Sequence, residues 1–383
     1  MDANGYRPGL AGVIATETRL SHVDGERGEL LLAGFPLAEI AGRATFTEMS
    51  YLLWNDRLPT DTERADFEAA LAAHRALPAG TLALLREAAQ AAVPPMDALR
   101  MAAASLDLAL VPDADDAAQA TAILAALPTI VASYWRLLQG EAPIAPNGAL
   151  GHAANYLYML SGEPPSDGRR RAFTTYLNTI IDHGLNASTF TARVIVSTRS
   201  DFVSAITGAL GALKGPLHGG APGPALEMVW EIGRAERAET ILREKLARGE
   251  RLMGFGHRVY KVRDPRADVL AAAAQQLFAA DGDRAQYELA LAVEAVALRL
   301  LAEQKPERKL QTNVEFYTAL LLHGIELPVP LFTPTFALGR AAGWLAHCLE
   351  QRQQDKLIRP SSRYVGQRRT LRFAQGRPPT QNG

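Results

Sequence analysis

The sequence predicts an all-α protein with one small β element, and three observations support this. Apolar residues recur at helical spacing, as on the face formed by Leu289, Val293, Val296 and Leu300. Segments that alternate apolar and polar residues, as half-buried strands do, are scarce. Hydrophobic residues make up 48% of the 383 residues, which is enough for two packed cores.

The β element is predicted near the N-terminus. Residues 9–35, GLAGVIATETRLSHVDGERGELLLAGF, contain two partly alternating segments on either side of Asp24-Gly25. An Asp-Gly pair between such segments is typical of a β-hairpin.

Helix starts follow along the chain. Thr45 to Glu48 and Thr60 to Glu63 match the capping box, in which hydroxyl and carboxylate satisfy each other's main-chain amides. Asp264-Pro265 fits an N-cap followed by the first helical residue. ALEMVWEIG, residues 225–233, predicts a helix whose N-terminus lies close to His218.

Composition excludes several classes of protein. The net charge is −1, although residues 351–383 carry eight Lys and Arg against one acidic residue. Few aromatic residues interrupt that basic tail, so it does not favour nucleic-acid binding. We see no stretch that approaches about 18 apolar residues and expect no membrane span. The single cysteine, Cys348, excludes an internal disulfide and favours a cytoplasmic location.

Familiar cofactor motifs are absent from the sequence. It contains no GxxxxGKS/T loop, no GxGxxG after a strand, no HExxH and no paired CxxC. Nothing in the sequence therefore requires a metal, and we expect no tightly bound cofactor.

His183 and His218 each directly precede a glycine. His218 in GPLHGG is predicted near a helix N-terminus, where the helix dipole disfavours the charged imidazolium. A neutral imidazole there could donate a hydrogen bond to a carbonyl or enolate oxygen. His183 in DHGLNAST lies in a helical pattern, and a structural or a functional role fits it equally.

His257 begins a basic loop, GFGHRVYKVRDPRA, that resembles an anion trap. One acidic residue, Asp264, stands among four basic ones: Arg258, Lys261, Arg263 and Arg266. Arg266 would enter the first turn of a helix beside free amides, a favourable seat for a carboxylate or phosphate.

Glu315 in TNVEFY permits two interpretations. Thr312 to Glu315 matches a capping box, which would make the carboxylate structural. The same position could instead aim a carboxylate from a helix start as a general base.

Five motifs in this order and at these separations resemble the shorter bacterial and archaeal citrate synthases. They are GPLHGG, GFGHRVYKVRDPRA, NVEFY, PTFALGRAAGWLAH and QRQQDKLIRPSSRYVG, and residues 9–35 and TFTEMSYLLWNDRLP match the same family. The resemblance covers the chain from about Pro8 to Gly366. It implies an acyltransferase that condenses acetyl-CoA with oxaloacetate and hydrolyses citryl-CoA to citrate and CoA.

The resemblance also implies an organisation. The family forms homodimers whose subunits have a large and a small helical domain that close over oxaloacetate. Breaks at 214–224 and 305–313 place the small domain at 220–320, between 1–219 and a return segment with the basic tail at 321–383.

Site residues follow from the matching motifs. His218, His257 and Glu315 would be catalytic: His218 would hydrogen-bond the thioester carbonyl, Glu315 would remove a methyl proton, and His257 would polarise the ketone of oxaloacetate. The oxaloacetate carboxylates would be bound by His183, Arg266, Arg340 and, from the partner subunit, Arg359. Lys261 and Arg258 would contact CoA, which is part of the co-substrate acetyl-CoA.

The family usually has aspartate where this chain has Glu315. Two other hypotheses accompany citrate synthase. One is 2-methylcitrate synthase, which uses propionyl-CoA and shares these motifs. The other, for which Glu315 and its neighbours argue, is a catalytically weak relative that binds CoA or a dicarboxylate.

Overall fold

The structure, a computed structural model, describes residues 6–110, 114–218, 222–257, 259–281 and 283–369. Helices dominate this part of the chain, which confirms the predicted all-α class. They are α1 (Leu37–Ile40), α2 (Phe46–Asn55), α3 (Asp61–Ala73), α4 (Ala79–Gln90), α5 (Pro95–Ala103), α6 (Asp116–Leu138), α7 (His152–Ser161), α8 (Asp167–Ile180), α9 (Ala187–Ser197), α10 (Phe202–Leu213), α11 (Pro222–Ile232), α12 (Ala238–Ala247), α13 (Pro265–Ala280), α14 (Arg284–Gln304), α15 (Val314–Gly324) and α16 (Phe332–Gln354).

The predicted hairpin is present and carries a short third strand. Strands β1 (Ser21–Asp24) and β2 (Glu29–Leu32) pair antiparallel, and β2 pairs with β3 (Phe35–Pro36). The Asp24 carboxylate accepts the main-chain N–H groups of Glu26 and Arg27 and so fixes the turn. This sheet matters for the site because Ser21, the first residue of β1, hydrogen-bonds to Asp182 and Gly184 in the turn between α8 and α9.

Local capping chemistry sets the helix starts as predicted. Both capping boxes, at Thr45 and Thr60, have the reciprocal hydrogen bonds. Asp264 caps α13, and Pro265 is its first residue. On α14 the predicted face is correct: Val293 and Leu300 are buried, and its other members pack against the core.

Two 23-residue helices, α6 and α16, run through the core. The expectation that no stretch approaches membrane-spanning length was wrong for α6, since this helix is long and apolar enough by composition. Buried protein contacts account for it, because 78% of its most apolar window lies inside the molecule. Helix α6 packs against α16, α5, α4 and α7 and is a core helix.

The packing of α13 to α15 positions the chemistry. Helix α13 packs against α15 and also against α8, while α11 packs against α15. Loop 254–256 pairs with 311–313 through Gly256 N to Gln311 O (2.7 Å) and Asn313 N to Gly254 O (2.9 Å). This pairing holds the loop that carries His257 beside the start of α15. The division of the chain at 220 and 320 remains a prediction.

Candidate active site

Six of the predicted site residues converge in one region, here called the central cluster. Six segments contribute: the turn between α8 and α9, the turn after α10, the loop before α13, the starts of α13 and α15, and the middle of α16. The cluster consists of His183, His218, His257, Arg266, Glu315 and Arg340. Direct contacts and mutual electrostatic effects link all six.

Arg266 is the cationic centre of the cluster. Its side chain is only 4% exposed, and Asp264 pairs with it through two oxygens at 3.0 and 2.8 Å. Although burial lowers the pKa of Arg266, Asp264 outweighs that effect and raises it. The terminal nitrogen that donates to Asp264 Oδ2, Nη2, also lies 3.2 Å from His257 Nε2, so both groups face the same point. A fixed guanidinium beside an imidazole suits recognition of a carboxylate next to a carbonyl group.

His257 is held in one tautomer by the main chain. Its Nδ1 accepts the N–H groups of Val259 and Tyr260, both at 3.1 Å. The proton of the neutral ring is then on Nε2, which faces Arg266; both atoms are donors, so they do not bond to each other and can share an acceptor atom of a ligand. Burial and the charge of Arg266 lower the pKa of His257 to about 4. His257 therefore presents a neutral N–H donor to the cluster at neutral pH.

Tyr260 connects two of the histidines and was missed in the sequence. It is 4% exposed, and its hydroxyl lies 3.0 Å from His183 Nε2. Its ring also packs against His257, with centroids 4.9 Å apart. The signal was a lone aromatic residue three positions after His257 in a polar loop. Burial, Arg266 and Arg340 hold the pKa of His183 well below its usual range, so this ring is neutral.

His218 contacts the N-terminus of α9. It lies in the turn after α10, and residues 219–221, between it and α11, lie outside the described residues, so its closeness to the start of α11 remains a prediction. Its Nε2 meets the start of α9, where it accepts the Ser188 N–H at 3.3 Å and lies 2.8 Å from Ser188 Oγ. With Nε2 accepting, the neutral ring carries its proton on Nδ1 and can donate it to a ligand. Burial and the charge of Arg340 lower the pKa of His218, which keeps it neutral.

The Ser188 side chain is itself held in place by hydrogen bonds, and no sequence motif predicts this role. Trp344 of α16 donates from Nε1 to Ser188 Oγ at 3.1 Å, and the hydroxyl also lies 2.8 Å from Asn186 Oδ1. Asn186 caps α9 through the Thr189 N–H. His218 is thus oriented by a buried hydroxyl in the first turn of α9.

Glu315 does not belong to a capping box, so the structural interpretation of its carboxylate was wrong. The N-cap of α15 is Asn313, whose Oδ1 accepts the Glu315 N–H at 2.9 Å. Thr312 Oγ1 donates instead to the buried Glu294, at 2.6 Å. The Glu315 carboxylate makes no hydrogen bond or ion pair within the described part of the chain. Burial raises its pKa, Arg266 opposes this and Asp264 adds to it. A half-buried carboxylate that is held by its main chain and has no partner is suited to accept a proton.

Arg340 supplies a second buried cation. It is 2% exposed, and its Nε donates to the Ile180 carbonyl at 2.5 Å. Its guanidinium lies over the Phe336 ring, 4.8 Å from the centroid. Burial lowers the pKa of Arg340 to about 10, and Asp182 opposes that effect. The terminal nitrogens make no hydrogen bond to the described residues and are available to a ligand.

Two of the predicted residues, Lys261 and Arg359, do not join the central cluster in this chain. Arg258 lies outside the described residues. Lys261 is exposed at the edge of a cavity of about 330 Å³ that extends from His257 to Arg308 and Lys309. Arg359 is exposed in the segment after α16 and makes no hydrogen bond or ion pair with the cluster among the described residues.

The described residues offer no group of three or more His, Cys, Asp and Glu side chains that could hold a metal ion. What the cluster does contain is a carboxylate without a partner, two oriented neutral imidazoles and two buried guanidinium groups. Together these can remove a proton from carbon, stabilise charge that develops on two carbonyl oxygens, and bind a dicarboxylate.

Comparison with known proteins shows which family the chain is similar to. The family model described as citrate synthase, C-terminal domain, matches residues 9–361. The citrate synthase of Haloferax volcanii is 41% identical over 94% of this chain and 96% of its own. A 2-methylcitrate synthase of Mycobacterium tuberculosis is 40% identical over 94% of this chain and 90% of its own. A Thermoplasma acidophilum citrate synthase, solved in a ternary complex with carboxymethyl coenzyme A and oxaloacetate, superposes with a TM-score of 0.84 at 28% identity, covering 95% of this chain and 97% of that one.

Proposed function

The chain belongs to the citrate synthase family, and we propose that His218, His257 and Glu315 are the residues that carry out its reaction. That reaction condenses acetyl-CoA with oxaloacetate and hydrolyses citryl-CoA to citrate and CoA. The observation that carries the proposal is that the central cluster contains two kinds of group. One is the Glu315 carboxylate, which has no partner among the described residues, and the other is a pair of imidazoles whose tautomers are fixed by hydrogen bonds.

Oxaloacetate binds first in this proposal. Arg266 and Arg340 each take one of its carboxylates, since a guanidinium remains charged when buried and pairs with two oxygens at once. His183 adds a hydrogen bond. His257 donates its Nε2–H to the ketone oxygen, which makes the ketone carbon more electrophilic.

Carbon–carbon bond formation then needs a nucleophile. Glu315 removes a proton from the methyl group of acetyl-CoA while His218 donates from Nδ1 to the thioester oxygen, because the developing enolate needs a placed donor. The enolate carbon attacks the ketone carbon, and the new alkoxide takes a proton from His257. Water then cleaves the thioester of citryl-CoA, which yields citrate and the CoA thiol.

CoA itself is a part of the substrate in this scheme. The cavity beside His257 has a basic rim of Lys261, Arg308 and Lys309, which suits the phosphates of CoA. The neighbouring Arg258 is proposed for the same role from its place in the motif.

We propose a homodimer in which Arg359 reaches the oxaloacetate site of the partner subunit. Its exposure and its lack of a link to the central cluster of its own chain support this arrangement. A cytoplasmic location is proposed as well, because the buried Cys348 thiol is the only cysteine of the chain and needs no oxidising compartment.

Glu315→Gln tests the assignment of the base. The amide keeps the size of the side chain but cannot accept the methyl proton, so kcat should fall by about 10²–10⁴-fold. Oxaloacetate affinity, measured by calorimetry, should change little because Arg266 and Arg340 remain. The matched variant Glu315→Asp keeps a carboxylate and should retain far more activity than Glu315→Gln. Unchanged turnover of Glu315→Gln would remove this residue from the mechanism.

A further inference from the structure

Asp182 directly precedes His183 and is fully buried, yet the reaction scheme gives its carboxylate no role. One oxygen, Oδ2, accepts a hydrogen bond from Ser21 Oγ of β1 at 2.5 Å. The Ser21 hydroxyl in turn accepts the Gly184 N–H at 2.9 Å. The side chain of Asp182 and the main chain of Gly184, on either side of His183, are therefore tied to one hydroxyl group.

The other oxygen of Asp182 faces α16. Oδ1 lies 3.2 Å from His347 Nε2, off the line of a regular hydrogen bond, and both side chains are completely buried. On the far side of the ring, Arg193 donates to His347 Nδ1 at 2.9 Å. A guanidinium can only donate, so the ring proton of His347 is on Nε2 and points at Asp182.

Charges along this buried chain pair in a definite order. Arg193 forms an ion pair with Glu350 at 2.5 Å, which balances its charge. His347 follows, with its ring between Arg193 and Asp182. Asp182 Oδ1 faces α16 one turn from Arg340, since a Cβ atom at Gly343 would lie 3.1 Å from this oxygen. Burial raises the pKa of Asp182, but His347 and Arg340 outweigh that effect and lower it. A buried charge without a counter-ion is costly, so the opposite charges of Asp182 and Arg340 stabilise each other.

We propose that Asp182 is a positioning residue for oxaloacetate binding: through Ser21 it fixes the turn that carries His183, and as counter-ion it holds Arg340 charged and aimed into the central cluster. His347 sets the orientation of the carboxylate. This inference rests on the proposed function, because it assigns Asp182 to the binding of that substrate. It predicts an effect on oxaloacetate alone, whereas a purely structural role would affect stability without selecting one substrate.

Asp182→Asn is the main test, since it keeps the shape and removes the charge. We expect the KM for oxaloacetate to rise by about 10- to 100-fold, the usual weight of a hydrogen-bonded charge. At saturating oxaloacetate, kcat should stay within about threefold, and the KM for acetyl-CoA should not change. Ser21→Ala removes the hydrogen bonds to Asp182 and Gly184 but leaves the charge of Asp182 in place, so it should give a smaller rise in the oxaloacetate KM.

Asn178→Ala is the matched control. Asn178 is also fully buried near the end of α8, and its Nδ2 donates to the Ala41 and Ala44 carbonyls, away from the cluster. Its loss should lower the melting temperature but leave the oxaloacetate KM unchanged.

Two results would overturn the inference: an unchanged oxaloacetate KM in folded Asp182→Asn, or an equal rise in Asn178→Ala. Direct calorimetric titration with oxaloacetate keeps this test separate from the proposed function. If the wild-type protein binds oxaloacetate but releases no CoA, the assigned reaction fails, and the affinity of Asp182→Asn still decides the role of Asp182.

Discussion

Burial and neighbouring guanidinium groups keep all three histidines of the central cluster neutral. The pKa of His257 falls to about 4, and those of His183 and His218 are also lowered, with burial as the first cause in each case. Neutral imidazole is a hydrogen-bond donor that does not have to lose a proton first at physiological pH. This leaves Glu315 as the residue whose protonation limits the reaction.

The pH profile of kcat/KM should reflect this order. The Glu315 pKa is raised above its ordinary value of 4.5. As the pH falls, activity should therefore be lost on protonation of Glu315, above pH 4.5 and before His257 titrates near 4. Between pH 7 and 8 the profile should be flat. A rate that increases as the pH falls toward 6, which would require an imidazolium, would contradict the assignment.

Individual residues were predictable where a motif states their chemistry. His218, His257 and Arg266 stand in Gly-rich or basic loops, and the structure brings them together as expected. The state of Glu315 was not predictable, because TNVE fits two caps and only the structure shows that Asn313 is the one used. Ser188 and Asp182 were missed since a buried serine or aspartate in a helical segment has no distinctive local pattern.

At the scale of elements, α16 supports the site at three points. Arg340, Trp344 and His347 follow one another at helical spacing, so they share one face. Arg340 belongs to the central cluster, Trp344 holds Ser188 next to His218, and His347 faces Asp182 beside His183. A single helix therefore helps to set the relative positions of the groups proposed for binding and catalysis.

Close approach of α16 to residues 180–182 depends on Gly343. A Cβ atom at this position would lie 2.1 Å from the Ile181 carbonyl oxygen, a backbone atom that cannot move aside. Gly343→Ala should shift α16, lower stability by about 1–3 kcal/mol and raise the oxaloacetate KM, because Arg340 moves with the helix. Denaturant unfolding and steady-state kinetics measure both effects.

Gly80→Ala is the control for that prediction. The added methyl group would meet only the end of the exposed Leu108 side chain, which can rotate away. Stability and kinetics should both stay close to wild type. Unaltered kinetics in Gly343→Ala would show that oxaloacetate binding does not depend on the close approach of α16 to residues 180–182.

Elements were largely predictable because their signals are local. Capping boxes, the Asp264-Pro265 start and the hairpin turn depend on neighbouring residues, and each is present. Packing partners were not predictable: α6 has the apolar length of a membrane helix, and only its contacts reveal a core helix. His218 likewise contacts the start of α9, which lies far from it in the sequence.

Over the whole molecule, segments that lie far apart in sequence meet in the central cluster. Segments near residues 183, 218, 257, 315 and 340 each supply a group, and the pairing of 254–256 with 311–313 sets the distance between His257 and Glu315. Arg359 remains outside this arrangement in a single chain, which is why the proposed site is completed by a partner subunit. The ordered motifs conveyed this assembly, although none of them alone did.

The most direct measurement is release of the CoA thiol by the purified protein with oxaloacetate, comparing acetyl-CoA with propionyl-CoA and identifying the acid formed. We predict a higher kcat/KM for acetyl-CoA, with citrate as the product. A preference for propionyl-CoA with 2-methylcitrate as the product would contradict the assigned substrate. No thiol release with either substrate, from folded protein that binds oxaloacetate, would contradict the assigned reaction.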